Sequence, residues 1–83
     1  MIKIVFFAAL REQLNCAKLS LAADDNTKTV NDIKQLLSDK NERWQQTFSN
    51  TSLLSAVNYD MVDGSHLVKS GDEVAFFPPV TGG

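Results

Sequence analysis

The chain has 83 residues, of which 43% are hydrophobic and 22% charged, a composition typical of one small globular domain and not of a disordered or multidomain protein. Its net charge is −2, its pI is about 5.1, and its lysines and arginines form no cluster, which argues against a nucleic-acid or anionic-membrane surface. No apolar stretch reaches the ~20 residues of a membrane span, and no signal-peptide pattern opens the chain, so we expect a cytoplasmic protein whose partners are proteins.

Alternating polar and apolar residues predict that the chain begins with a pair of strands. The first would start almost at residue 1 and place Ile2, Ile4 and Phe6 on one side. The second would occupy residues 17–22, after a short helix at residues 8–14. Two strands this close in sequence are expected to pair.

The sequence predicts one main amphipathic helix over residues 29–40. Val30, Ile33 and Leu37 follow one another at helical spacing and therefore share a face. Thr29 is a suitable N-cap residue, because its hydroxyl can accept a hydrogen bond from a free backbone N–H of the first turn. This helix is expected to cover one face of a sheet.

The second half of the chain predicts a looser helical turn and further strands. In residues 43–48, Trp44 and Phe48 are spaced to share a side and would pack as satellites of the core. Residues 53–58 are strand-like, a short strand would follow, and residues 73–77 would form the last strand.

This order of elements predicts an α+β fold of the β-grasp, or ubiquitin-like, class. Its mixed sheet would pack on one main helix, with the first and last strands side by side at the centre. We expect residues 1–77 to form this domain and residues 78–83 to form an extended C-terminal tail.

The tail is the candidate reactive segment. Pro78 and Pro79 lack backbone donors, so the strand ladder must end there. Gly82 and Gly83 carry no Cβ and make a peptide thin enough for a narrow enzyme channel. Six extended residues reach roughly 20 Å, at about 3.3 to 3.6 Å each. The sequence therefore predicts that the carboxylate of Gly83 is the functional group, the alternative being an ordinary frayed terminus.

Two phenylalanines are the candidate partner surface. If the side chains of Ile4 and Phe76 face the helix, those of Phe7 and Phe77 point to the opposite face of the sheet. Both lie near the base of the tail and would form an apolar patch suited to protein contact. The alternative is that a loop covers them.

The remaining potentially reactive side chains do not indicate a metal or catalytic site. Cys16 is the only cysteine and His66 the only histidine, so neither has a companion for a metal site, and we expect a packing cysteine and a surface histidine. Arg11 would lie beside the face that carries Phe7 and could pair with an acid of a partner, or be an ordinary solvated charge.

The string Gly-Asp-Glu-Val-Ala-Phe-Phe-Pro-Pro-Val-Thr-Gly-Gly at residues 71–83, with residues 2–12 and 54–58, resembles the small subunits of molybdopterin synthase. The resemblance extends over essentially the whole chain. It implies a ubiquitin-like sulfur carrier whose C-terminal glycine is adenylated with ATP by an E1-like adenylyltransferase and converted to a thiocarboxylate by a sulfur donor. The carrier would then deliver this sulfur to a pterin precursor in the large catalytic subunit of a heterotetrameric synthase.

Carried over to this sequence, the resemblance makes Gly83 the carrier residue, with Gly82 and Thr81 in the tail that delivers it. The candidate partner-binding residues are Phe7, Arg11, Met61 and Phe77. The domain itself would bind no cofactor or metal and would supply no catalytic acid or base. ATP would be used by the activating partner.

Two related functions and one structural role remain open from the sequence. A ubiquitin-like modifier would pass its activated Gly83 to lysines of other proteins, and a thiamine-pathway sulfur carrier would share the Gly-Gly end. A purely structural interaction domain would have an inert tail.

Overall fold

The computed structural model describes residues 1–49 and 53–78. The predicted tail residues Thr81, Gly82 and Gly83 therefore lie outside the described residues. The elements are, in chain order, β1 (Ile2–Phe6), α1 (Ala9–Leu14), β2 (Lys18–Leu21), α2 (Val30–Ser38), α3 (Glu42–Phe48), β3 (Leu54–Val57), β4 (Asp60–Val62) and β5 (Glu73–Phe77).

The strands form one five-stranded mixed sheet in the order β2-β1-β5-β3-β4. The first and last strands, β1 and β5, are parallel neighbours at its centre, and the other neighbouring pairs are antiparallel. The predicted α+β arrangement is confirmed, including the central position of the two terminal strands.

The main helix, α2, is two residues shorter at its C-terminal end than the predicted range 29–40, and it begins one residue later. Thr29 is the N-cap, in extended conformation, and its hydroxyl accepts a hydrogen bond from the Asp32 backbone N–H at 3.1 Å. The Asp32 carboxylate in turn accepts from the Thr29 N–H at 3.1 Å, which completes a capping box. Val30, Ile33 and Leu37 are fully buried, so the predicted helical face is confirmed.

The core lies between the helices and one face of the sheet. Four aromatic residues occupy its centre: Phe6 and Trp44 meet edge to face at 5.4 Å between ring centroids, and Phe48 and Phe76 do so at 5.3 Å. The prediction that Trp44 and Phe48 are satellites of the core was wrong. They belong to a regular helix, α3, whose N-cap Asn41 accepts a hydrogen bond from the Trp44 N–H at 3.0 Å, and this helix points both rings at the central strands.

The side-chain alternation of the two central strands is as predicted. Ile4, Phe6, Val74 and Phe76 are buried against the helices. Phe7, directly after β1, is 47% exposed on the opposite side. We call this second side of the sheet the open face.

Candidate functional site

The open face carries an apolar depression of about 210 Å³, which we call the sheet hollow. Its lining comes from β3, β4, β5, the turn between β3 and β4, and the residue after β1. The lining residues are Phe7, Ala56, Tyr59, Met61, Glu73, Ala75 and Phe77.

Strand register explains why this surface is concave. Ala75 is paired with Ala56, and Ala56 with Met61, so these side chains stand in one row across three strands. The two alanines leave a low floor, because their side chains end at Cβ. The larger side chains of Phe7 and Phe77 stand beside this floor and form its wall.

Along the two central strands, the open face is charged at one end and aromatic at the other. At one end Lys3 and Glu73 are register partners and form an ion pair at 3.4 Å. At the other end lie Phe7, whose N–H donates to the Phe76 carbonyl at 3.1 Å, and Phe77. The aromatic end is therefore the end from which the chain continues into Pro78.

Pro78 lies at the boundary between the open face and the helical side. It is half-buried and lines a second depression, of about 230 Å³, together with residues of α1 and α3. The predicted tail therefore starts next to the aromatic end of the sheet hollow.

The turn between β3 and β4 fixes one wall of the hollow. Its two central residues, Asn58 and Tyr59, both have positive φ, at 51° and 74°, as a type I′ hairpin turn requires. The Asn58 side chain accepts from the Glu73 N–H at 3.0 Å and donates to the Asp72 carboxylate at 3.0 Å. The turn is thus tied to the start of β5.

Asp72 is the buried carboxylate of this region, and it is 5% exposed. Besides the bond from Asn58, it accepts a hydrogen bond from the Lys69 backbone N–H at 2.9 Å. The Asn58 hydrogen bond is the main cause that lowers the pKa of Asp72 below its ordinary value of 3.8, against the opposing effect of burial. Asp72 is therefore held as a carboxylate that orders the turn.

Comparison with known proteins places this geometry in a family. The ThiS family matches residues 4–83 of the chain. The chain belongs to the ThiS family. Among curated relatives, the molybdopterin synthase sulfur carrier subunit of Escherichia coli (strain K12) is 43% identical to this ThiS family member over 83 residues, which cover the whole of both chains.

Solved structures confirm the β-grasp fold that the sequence predicts. SAMP1 of Haloferax volcanii superposes with a TM-score of 0.79 at 24% identity, covering 99% of this chain and 98% of that one. One chain in the protein–protein complex of subunits 1 and 2 of molybdopterin-converting factor from Helicobacter pylori superposes with a TM-score of 0.69 at 22% identity, covering 99% and 97%.

The structure brings together three of the four predicted partner-binding residues of this ThiS family chain. Phe7, Met61 and Phe77 all line the sheet hollow. Arg11 is exposed on α1, outside that lining. The part these four residues take in partner binding stays a prediction, as do the domain boundary at residue 77 and the roles of the tail residues.

Sequence reasoning placed Ala75 on the open face but missed Tyr59, Ala56 and Glu73 as lining residues of the hollow. Alternation along β5 already places Ala75 and Glu73 on the same face as Phe77, and that signal was available. Tyr59 could not be assigned, because its position depends on a two-residue turn that lacks the usual glycine.

The remaining predicted side chains form no site in the described part of the chain. Cys16 is half-buried against the core, and its thiol donates to the Lys18 carbonyl at 3.4 Å. His66 is exposed. Residues 1–49 and 53–78 contain no group of three or more potential metal ligands, and none of their helices is long and apolar enough to cross a membrane.

Proposed function

We propose that this chain is the sulfur carrier subunit of a molybdopterin synthase, acting through the carboxylate of Gly83. The observation that carries the proposal is the full-length correspondence, at 43% identity, with a relative of that name. The β-grasp body, with an apolar hollow next to the base of a Pro-Pro segment, supports it, because such a body can dock while the tail reaches away from it.

The chemistry proceeds in three steps, and the carrier domain supplies only the reacting carboxylate. The Gly83 carboxylate attacks ATP on an adenylyltransferase partner, which releases pyrophosphate and leaves an acyl-adenylate. A sulfur donor then displaces AMP and forms a thiocarboxylate. Finally the thiocarboxylate sulfur attacks an electrophilic carbon of the pterin precursor and an oxygen leaving group departs from that carbon; water then cleaves the resulting acyl–sulfur bond, which leaves the sulfur on the pterin and returns the free carboxylate.

The large catalytic subunit docks on the sheet hollow in this proposal. The tail spans residues 78–83, so Gly83 stays within roughly 20 Å of the end of β5. A partner that holds Gly83 in its active site must therefore bring that site within this distance of the end of β5, and the sheet hollow is an apolar surface next to that end. The chain of the Helicobacter pylori structure that matches this fold was likewise solved as a complex of two subunits.

The proposal is tested by following the mass of the carrier in a reconstituted reaction. The purified chain, incubated with the adenylyltransferase, ATP and a sulfide source, should gain the mass difference between one sulfur and one oxygen atom. Adding the large subunit and the precursor should reverse the gain and yield product. A chain lacking Gly83 is the control and should do neither.

The same experiment separates the proposed function from the modifier function. Isopeptide-linked products on lysines of other proteins, in place of a thiocarboxylate that the large subunit consumes, would assign a ubiquitin-like modifier. A thiocarboxylate that the large subunit cannot consume would indicate a carrier for another sulfur-containing product.

A further inference from the structure

Tyr59 is the most exposed large apolar side chain of the described residues, at 88%. It occupies the second central position of the β3–β4 turn at φ 74°, a left-handed conformation that bulky residues avoid. Glycine would fit this backbone without steric cost. The chain therefore keeps a tyrosine where its own folding favours glycine.

Tyr59 forms little within the folded domain that could offset the steric cost of its positive φ. The Tyr59 ring is almost fully solvated, and among the described residues its hydroxyl takes part in no hydrogen bond. Asn58, the preceding residue, also has positive φ, but asparagine tolerates it and its side chain binds Asp72 and Glu73. Tyr59 is therefore the residue of the turn whose positive φ is not offset by side-chain hydrogen bonds among the described residues.

The ring nevertheless has a defined place, on the wall of the sheet hollow. It lies there with Met61, which is 59% exposed, and with Phe7 and Phe77. The Asn58–Asp72 hydrogen bond holds the turn that carries it, so the ring is presented on an ordered support. Sterically unfavourable residues kept in ordered positions are a feature of functional surfaces.

We infer that Tyr59 is a binding anchor for the catalytic subunit that takes the tail, and that the chain gives up folding stability to present it. This inference rests on the proposed function. Tyrosine suits such a role because its rigid ring supplies a large apolar contact with few rotatable bonds, and its hydroxyl can remain at the solvated edge of an interface.

The test measures stability and partner affinity in the same set of variants. Tyr59→Gly should raise the thermal midpoint by about 4 °C, because the steric cost at positive φ disappears. It should weaken binding to the large subunit from the same organism by about tenfold or more. Tyr59→Ala should lose the same affinity without the gain in stability, since alanine keeps the Cβ.

Two further variants separate the ring from other effects. Asn15→Gly is the matched control: Asn15 also has positive φ, at 52°, but follows α1 outside the hollow, so affinity should not change. Tyr59→Phe should keep most of the affinity, because the ring is retained.

The outcomes distinguish the two proposals. If the wild-type chain transfers sulfur and Tyr59→Gly binds the large subunit as tightly as wild type, the inference about Tyr59 fails and the proposed function stands. If Tyr59→Gly is less stable than wild type, the ring packs within the domain and the inference also fails. If the wild-type chain does not bind the large subunit, both fail.

Discussion

Asp72 is the residue whose charge most directly orders the candidate site. Its carboxylate accepts hydrogen bonds from Asn58 and Lys69, and the Asn58 side chain in turn accepts from the Glu73 N–H. Because the pKa of Asp72 is lowered by folding, the carboxylate form stabilises the native state. That contribution is present above the ordinary pKa of 3.8 and is lost as the pH falls through the lower folded-state pKa.

We expect Asp72→Asn to cost about 1 kcal/mol at pH 7, the typical value of a hydrogen bond to a charged acceptor that is only partly replaced. The variant should also lose the part of the acid destabilisation that Asp72 causes in wild type as the pH falls below the ordinary pKa of 3.8. Urea unfolding measured across this range checks both effects. Asp60→Asn, at an exposed carboxylate on β4, is the control and should retain the wild-type acid decline. Parallel pH curves for Asp72→Asn and wild type would contradict the assignment.

Phe77 is the half-buried aromatic residue that joins the sheet hollow to the tail. We expect Phe77→Ala to fold, because the side chain lies on the open face, and to cost about 2 kcal/mol or more of association with the large subunit. Calorimetric titration measures this difference. Leu67→Ala is the matched control, because Leu67 is a 72% exposed apolar residue that pairs with Thr29 beside α2, outside the hollow. Equal affinities for Phe77→Ala and Leu67→Ala would show that Phe77 does not contribute to the interface.

At the scale of the elements, α2 determines whether the sheet has a core at all. Its buried face meets the sheet through Val30, Ile33 and Leu37, and its N-terminus is fixed by the Thr29 capping box. The same helix also carries Leu36, which is 37% exposed and turned away from this face. The same substitution can therefore be compared at a buried and at an exposed apolar residue of this one helix.

We expect Ile33→Asp to destabilise the domain by about 3 kcal/mol or more, because a carboxylate without a partner would be placed in an apolar core. Leu36→Asp, the same kind of change three residues later in the helix, should cost far less. Thermal unfolding followed by circular dichroism compares the two. Similar melting temperatures for the two variants would show that the predicted face is not the core face.

The sequence predicted the elements whose signals are local. Apolar alternation within a few residues predicts β1 and β5, and helical spacing predicts α2. The same alternation along the two strands placed Phe7 and Phe77 on one face of the sheet. The role of Trp44 and Phe48 could not be read in this way. Their burial depends on Phe6 and Phe76, which meet them only after the two terminal strands pair.

Side-chain alternation predicted the candidate site only where it lies on the central strands, whereas Met61, on the edge strand β4, was named with the resemblance. Met61 and Ala56 share the hollow because the β3–β4 register pairs them, and that register is set by the turn at Asn58 and Tyr59. A tyrosine at the second central position gives no hairpin signal. The placement of Arg11 outside the hollow likewise depends on Ala8, whose φ of 57° redirects the chain between β1 and α1.

At the scale of the whole molecule, the proposed function assigns docking and chemistry to different parts of the chain. The core residues and the sheet hollow lie within residues 1–49 and 53–78, whereas the proposed sulfur-carrying atom belongs to Gly83. Changes at the hollow should therefore alter affinity, and changes at Gly83 should alter transfer. The two properties can be lost independently.

We expect deletion of Gly83 to abolish sulfur transfer while leaving the thermal midpoint and the affinity for the large subunit close to those of wild type. The deletion moves the terminal carboxylate back by about 3.3 to 3.6 Å, too far for the same reacting position. One extra residue after Gly83 should have the same effect, because it turns the carboxylate into an amide that cannot be adenylated. Both variants are compared with Phe77→Ala in the reconstituted reaction and in binding assays. Product formation by the chain without Gly83, or a loss of binding as large as that of Phe77→Ala, would show that docking and chemistry are not divided in this way.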